Sequence, residues 1–123
     1  MNALNYTYLE SSNEFVLRVK TNYFGHRYKE YDTSKFSNDK YKKIMLLGDS
    51  FIFGHGVNME DHMAHILDSL LMIEKNEGFV VINAGVGGWG TIQQVNYAID
   101  NFTLFNPDFI FMFFYKISHF FSY

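Results

Sequence analysis

Three short apolar runs, separated by two stretches of helical period, leave this chain few folds to adopt. Ile44-Met45-Leu46-Leu47 ends at Gly48, Phe79-Val80-Val81-Ile82 precedes a glycine-rich turn, and Phe109 to Tyr115 is apolar at every position. Such runs read as strands covered on both faces of a parallel sheet. Between the first two, Met63, Ile66, Leu67, Leu70 and Ile73 recur at helical spacing. Asn58 and Asp61 are placed like a cap and its reciprocal acid, and Lys75, Asn76 and Gly78 stand near the stop. Between the second and third runs, Ile92, Val95, Ile99, Phe102 and Phe105 mark another helix, halted by Asn106-Pro107. Proline lacks an amide donor and pushes its predecessor out of the helical region. The β-α-β-α-β alternation requires right-handed crossovers and a parallel sheet with helices packed on it.

At 123 residues the chain has room for one modest domain, and its 48% apolar and 20% aromatic content supplies a core that a disordered chain lacks. Ten Lys plus Arg against 13 Asp plus Glu leave a net charge of −3, which argues against a nucleic-acid partner. Without cysteine there is neither a disulfide framework nor a thiolate zinc site. The opening MNALNYTYLESSNE has no basic region followed by an apolar one, and Phe109 to Tyr115 is far short of a bilayer span. The expectation is a chain with no membrane span, cytoplasmic by default.

Charge divides the chain. Residues 1–43 hold eight basic and five acidic groups, and residues 44–123 hold two and eight. Residues 1–40 read as an irregular N-terminal arm whose one alternating stretch, Glu14 to Lys20, is a half-buried strand. Residues 41–123 read as the α/β domain.

Ligands of open parallel sheets bind where loops leave the carboxyl ends of the strands. Three loops therefore matter: Gly48 to Val57, Asn83 to Gly90, and Lys116 onward. In the first, Gly48-Asp49-Ser50, a serine at the tip of a buried strand presents its hydroxyl at the mouth of the site, and its own N–H can face a developing oxyanion. The plainer reading is a turn built from residues that tolerate turn geometry. The loop lacks the Gly-Lys-Ser/Thr of a phosphate-binding loop and is not a G-x-S-x-G elbow. Gly85-Val86-Gly87-Gly88-Trp89-Gly90 formally matches G-x-G-x-x-G, but a dinucleotide fold usually carries that fingerprint on its first strand. The acid at a suitable interval, Asp108, begins a strand instead of ending one. Glycines there also let a carbonyl substrate approach the backbone and leave N–H groups free for negative charge.

Together, Gly-Asp-Ser-x-x-x-Gly-x-Gly-Val, Asn-Ala-Gly-Val-Gly-Gly and Asn-Pro-Asp, in this order and spacing, resemble the SGNH (GDSL) hydrolases over about residues 41 to 115. The resemblance implies a flavodoxin-like three-layer α/β/α fold with sheet order 2-1-3-4-5. It also implies cofactor-free esterase, lipase or acyl-transfer chemistry on small-molecule, carbohydrate or lipid esters. By the same resemblance Ser50 is the nucleophile and one oxyanion donor, Asp49 shapes the turn, Gly88 is the second donor, and Asn83 is a structural residue opening its block. His55 is placed to line the pocket. Trp89, with Phe51 and Phe53, forms either a substrate wall or core packing.

The chain departs from the family at two points. Tyr115-Lys116-Ile117-Ser118-His119 stands where the family has an Asn-Asp block whose Asn completes the oxyanion hole, and no Asp-x-x-His follows to supply a general base. His119 is a conceivable substitute. His62 and His65 with Asp61 are weak metal candidates and no metal is expected; His26 is unassigned. An all-apolar third strand would be an edge in a 2-1-3 sheet, where it invites pairing. The expectation is therefore a chain truncated after Tyr115, crippled in catalysis and of open oligomeric state. Two rival readings stay alongside: a non-catalytic glycan- or acyl-binding module of the same fold, and a nucleotide-binding α/β domain using Gly85 to Gly90.

Overall fold

The N-terminal alternation builds a hairpin. In the computed structural model, which describes residue 4 and residues 6–75 and 78–114, strand β1 (Thr7–Ser11) pairs antiparallel with β2 (Val16–Lys20). Leu17 and Val19 turn inward while Val16, Arg18 and Lys20 face solvent, the period of a half-buried strand.

From residue 42 the chain is a mixed α/β structure with a three-stranded parallel sheet. Strand β3 (Lys42–Gly48) leads through a single helical turn, α1 (Ser50–Phe53), and a 3-10 turn at Met59–Asp61 into α2 (Met63–Lys75). Strand β4 (Phe79–Gly85), helices α3 (Thr91–Asp100) and α4 (Phe102–Phe105) and strand β5 (Phe109–Met112) follow. The sheet order is β4-β3-β5, with Lys42 through Gly48 opposite Phe79 through Gly85 and Ile44 through Leu47 opposite Phe109 through Met112.

Alternation along β3 sends successive side chains to two clusters. Ile44 and Leu46 join Val81, Ile52, Ala64 and Tyr28. Met45 and Leu47 join Ile82, Ala84, Ala98, Phe105 and Phe36. Tyr28 and Phe36 belong to the stretch that reads as irregular arm, so that segment contributes a buried aromatic to each cluster.

Several elements differ from expectation for physical reasons. β4 runs on through Asn83, Ala84 and Gly85, because β3 offers pairing partners as far as Gly48. The long helix between β3 and β4, α2, starts at Met63, and Asn58 makes no side-chain cap. His62 caps it instead, accepting the His65 N–H on Nδ1 at 3.1 Å. The second helical stretch has the expected period, but in α3 the other face is buried: Ile92 and Ile99 are exposed while Gln94 and Ala98 are buried. In α4 Phe102 is exposed and Phe105, the last residue of the expected stripe, is buried. The small Ala98 lets the helix approach the sheet closely, which a stripe of isoleucines would prevent. Asn101 breaks it into two, and Asn106, in the left-handed region at φ 48°, ends it before Pro107.

β5 lies at the sheet edge, and Phe109, Ile110 and Phe111 are 48%, 41% and 48% exposed. At its start Asp108 accepts the Lys43 N–H at 2.8 Å and pairs with the buried Lys43 ammonium at 3.2 Å. These contacts hold the Asp108 carboxyl below the usual range, the Lys43 backbone bond foremost.

Candidate functional site

A four-residue helix cannot hold itself in place, so the direction of α1 and of Ser50 at its head is set by contacts beyond it. Asp49 begins it, accepting the Phe51 N–H on Oδ1 at 3.0 Å. Ile52 is buried in a notch between Gly48 and Gly85, which are register partners at the ends of β3 and β4. A Cβ on Gly48 would come 2.3 Å from Ile52 Cγ1, and one on Gly85 would come 2.5 Å from the Phe53 backbone nitrogen. The helix therefore rests on backbone. At its far end the Ser50 carbonyl accepts from the amides of Gly54 and His55, both at 2.9 Å, with Gly54 at φ 90°.

The second loop leaves the sheet beside the first, for the Val86 N–H donates to the Gly48 carbonyl at 3.1 Å. Val86 to Trp89 then closes a turn with Trp89 N–H on Val86 C=O at 3.2 Å. Its third residue, Gly88, has φ 81°, the position where a turn of this kind favours glycine. Among the described residues, no heavy atom beyond the chain neighbours lies within 4 Å of where a side chain would start on Gly87 or Gly88. Neither the Ser50 nor the Gly88 amide donates to a described residue. Ser50 is half-buried and its hydroxyl has no hydrogen-bond partner among the described residues.

The remaining residues singled out from sequence fall in different places. His55 is 59% exposed in its side chain and turns toward the hairpin, with Nδ1 3.1 Å from Glu10 Oε2 and its ring edge-on to Phe15. Trp89 is partly buried against the Tyr97 ring, 5.5 Å between centroids. Phe51 is exposed, while Phe53 lies under the Arg27 guanidinium at 5.8 Å. Asn83 is fully buried, giving Nδ2–H to the Arg27 carbonyl at 3.0 Å and accepting from Gly85 N–H at 3.4 Å. The third loop, Lys116 onward, with His119, lies outside the described residues.

His62 and His26 are structural. The His62 Nε2–H donates to the Arg27 carbonyl at 2.9 Å while Nδ1 accepts from His65, which fixes a neutral tautomer, and burial lowers its pKa. His26 sits between the hydroxyls of Tyr31 at 2.8 Å and Tyr97 at 2.5 Å, and burial drives its pKa down to about 3. Burial also pushes the Tyr97 phenol up to about 12 and Tyr31 further in the same direction. No cluster of three or more metal-ligating side chains occurs among the described residues.

Sequence reasoning missed Glu10 and Arg27. The Glu10 carboxylate accepts the Gly56 N–H at 2.8 Å, and the Arg27 guanidinium donates to the carbonyls of Gly54 and Val57. A lone arginine inside an aromatic stretch was the available signal, since a buried guanidinium needs built partners.

One cavity of about 280 Å³ opens where β4 begins, lined by Tyr31, Asp68 and Phe79 among others, and one of about 440 Å³ runs along Met63, Ile66 and Leu70 of α2. Neither Ser50 nor Gly88 lines these two. No helix among the described residues is long and apolar enough to cross a membrane. No family model, curated protein or solved structure matches the chain.

Proposed function

We propose that this chain carries the nucleophile and two oxyanion donors of an SGNH-type serine ester hydrolase, acting on ester-bearing substrates such as O-acylated carbohydrates or lipids. The supporting observation is the pairing of Gly48 with Gly85. It makes the Ser50 helix and the glycine turn leave the sheet as neighbours, each with an amide that donates to no described residue. The proposal takes the fold to be flavodoxin-like and three-layered, supported by the central place of β3 and by helix residues in both core clusters.

In the reaction the Ser50 oxygen attacks the ester carbonyl carbon and its proton passes to a base. Carbonyl electrons move onto oxygen, where the Ser50 and Gly88 amides receive the charge. Collapse expels the alcohol, and water or a second hydroxyl then takes the acyl group from Ser50. The base is the demanding requirement. His26, His55 and His62 are engaged with Tyr31 and Tyr97, with Glu10, and with Arg27 and His65 respectively.

A fluorophosphonate probe tests the reading. Slow labelling of the full chain at Ser50, abolished in Ser50→Ala together with any p-nitrophenyl acetate turnover, is expected of a chain weakened in catalysis. Equal behaviour of the two proteins overturns it, and glycan binding without labelling favours a binding module.

A further inference from the structure

Arg27 is 1% exposed and comes from a segment with no regular secondary structure, yet it bonds to the Ser50 loop, to the end of β4 and to the head of α2. Its guanidinium donates to the Gly54 and Val57 carbonyls at the far end of the Ser50 loop. Gly54 thus stands between two partners, its carbonyl on Arg27 and its N–H on the Ser50 carbonyl. At its other end the Arg27 carbonyl accepts from Asn83 Nδ2, and Asn83 Oδ1 accepts from the Gly85 N–H just before the glycine turn. The same carbonyl accepts from His62 Nε2 at the head of α2.

We propose that Arg27 is a positioning residue for Ser50, a strut whose side chain grips the nucleophile loop and whose carbonyl grips the strand end that carries Gly88. One residue then sets the separation of the two oxyanion donors. The role suits arginine, because a planar fork can serve two carbonyls at once, whereas a lysine ammonium is a point charge on a flexible stem. It is needed because α1 is a single turn, seated on Ile52 but otherwise free to pivot. The burial of an arginine without a carboxylate in hydrogen-bonded contact is costly, and carbonyl dipoles together with the Glu10 charge offset that cost.

The positioning role rests on the proposed hydrolase reading, and the experiment separates the two. Amide exchange is measured on the full chain, together with the fluorophosphonate labelling rate of Ser50, in the wild type, Arg27→Lys and Arg27→Ala. In Arg27→Lys the Gly54 and His55 amides should exchange at least about tenfold faster, with the Leu46 and Ile82 amides of the sheet unchanged. Labelling should slow by about 10- to 100-fold. Millimolar guanidinium should restore part of both in Arg27→Ala, which also covers the case that a single variant folds poorly. Wild-type exchange at Gly54 and His55 in Arg27→Lys overturns the proposal, as does a loss of protection spread evenly over β3 and β4. Should the wild type itself fail to label, the hydrolase reading falls, and the exchange rates alone uphold or overturn the strut.

Discussion

Ile52 lies directly on Gly85, so closely that a methyl group on the glycine would stand 2.6 Å from Ile52 Cβ. The contact converts two glycines that look like turn residues into a seat for the helix that carries Ser50. It also explains why the tips of β3 and β4 need small residues even though Gly48 and Gly85 both lie outside the left-handed region.

The seat can be dissected by paired substitution. Gly48→Ala collides with the Ile52 side chain, whereas Gly85→Ala collides with the backbone at Phe53 N and Ile52 C. Each should cost about 1–3 kcal/mol. Adding Ile52→Ala should recover part of the Gly48→Ala loss and none of the Gly85→Ala loss, read as a double-mutant cycle from urea unfolding. Equal recovery in both would mean that side-chain crowding alone explains the notch.

Stability should fall on mild acidification. The folded pKa of His26 is about 3 and that of His62 is lowered by burial. Below the ordinary histidine value of about 6.5 the unfolded chain therefore binds protons that the folded chain does not. Stability contributed by the neutral rings is complete above that value and is lost as pH falls toward the folded pKa. The slope should approach about 1.4 kcal/mol per pH unit for His26, and His62 adds to it in the same direction. Urea midpoints between pH 7.5 and 4.5 check this, and His26→Gln should flatten the profile; an unchanged slope in that variant would remove His26 from the account.

Asp108→Asn should destabilise by about 2 kcal/mol, since it strips the counter-charge from a buried ammonium while part of the carboxylate stays in solvent. The pair sits where β3 and β5 begin, opposite the end that bears Ser50. Ser50 labelling per folded molecule should stay at the wild-type rate. A ribose-binding role for Asp108 predicts instead that a dinucleotide raises the melting temperature of the wild type and not of the variant.

His55→Ala should change stability by less than about 1 kcal/mol, because the exposed His55 ring meets the Glu10 carboxylate from the solvent side, where screening weakens the contact. Glu10→Ala should cost more, for it also leaves the Gly56 amide without its acceptor, and should speed exchange at Gly56. If the two variants unfold at the same urea concentration, the Gly56 bond carries no weight.

Local pattern made the strand and helix periods legible, together with the stop at Pro107 and the place of Ser50 and Gly88 at strand tips. Periodicity reports that a helix has two faces, and it misidentified the buried one in α3, where Ala98 and Gln94 face the sheet and the isoleucines do not. Which face is buried depends on how closely the backbone must approach, a property of the partner surface. The same limit hid Arg27. Its partners, Gly54, Val57, His62 and Asn83, lie 27 to 56 residues away.

The alternation of elements follows from the spacing of apolar residues, which sets strand and helix through local geometry. Packing in the folded chain settles which glycines become a seat, which histidines are locked in neutral form, and that the N-terminal segment holds the Ser50 loop. Those outcomes depend on desolvation and on contacts between distant residues, and no local pattern encodes either.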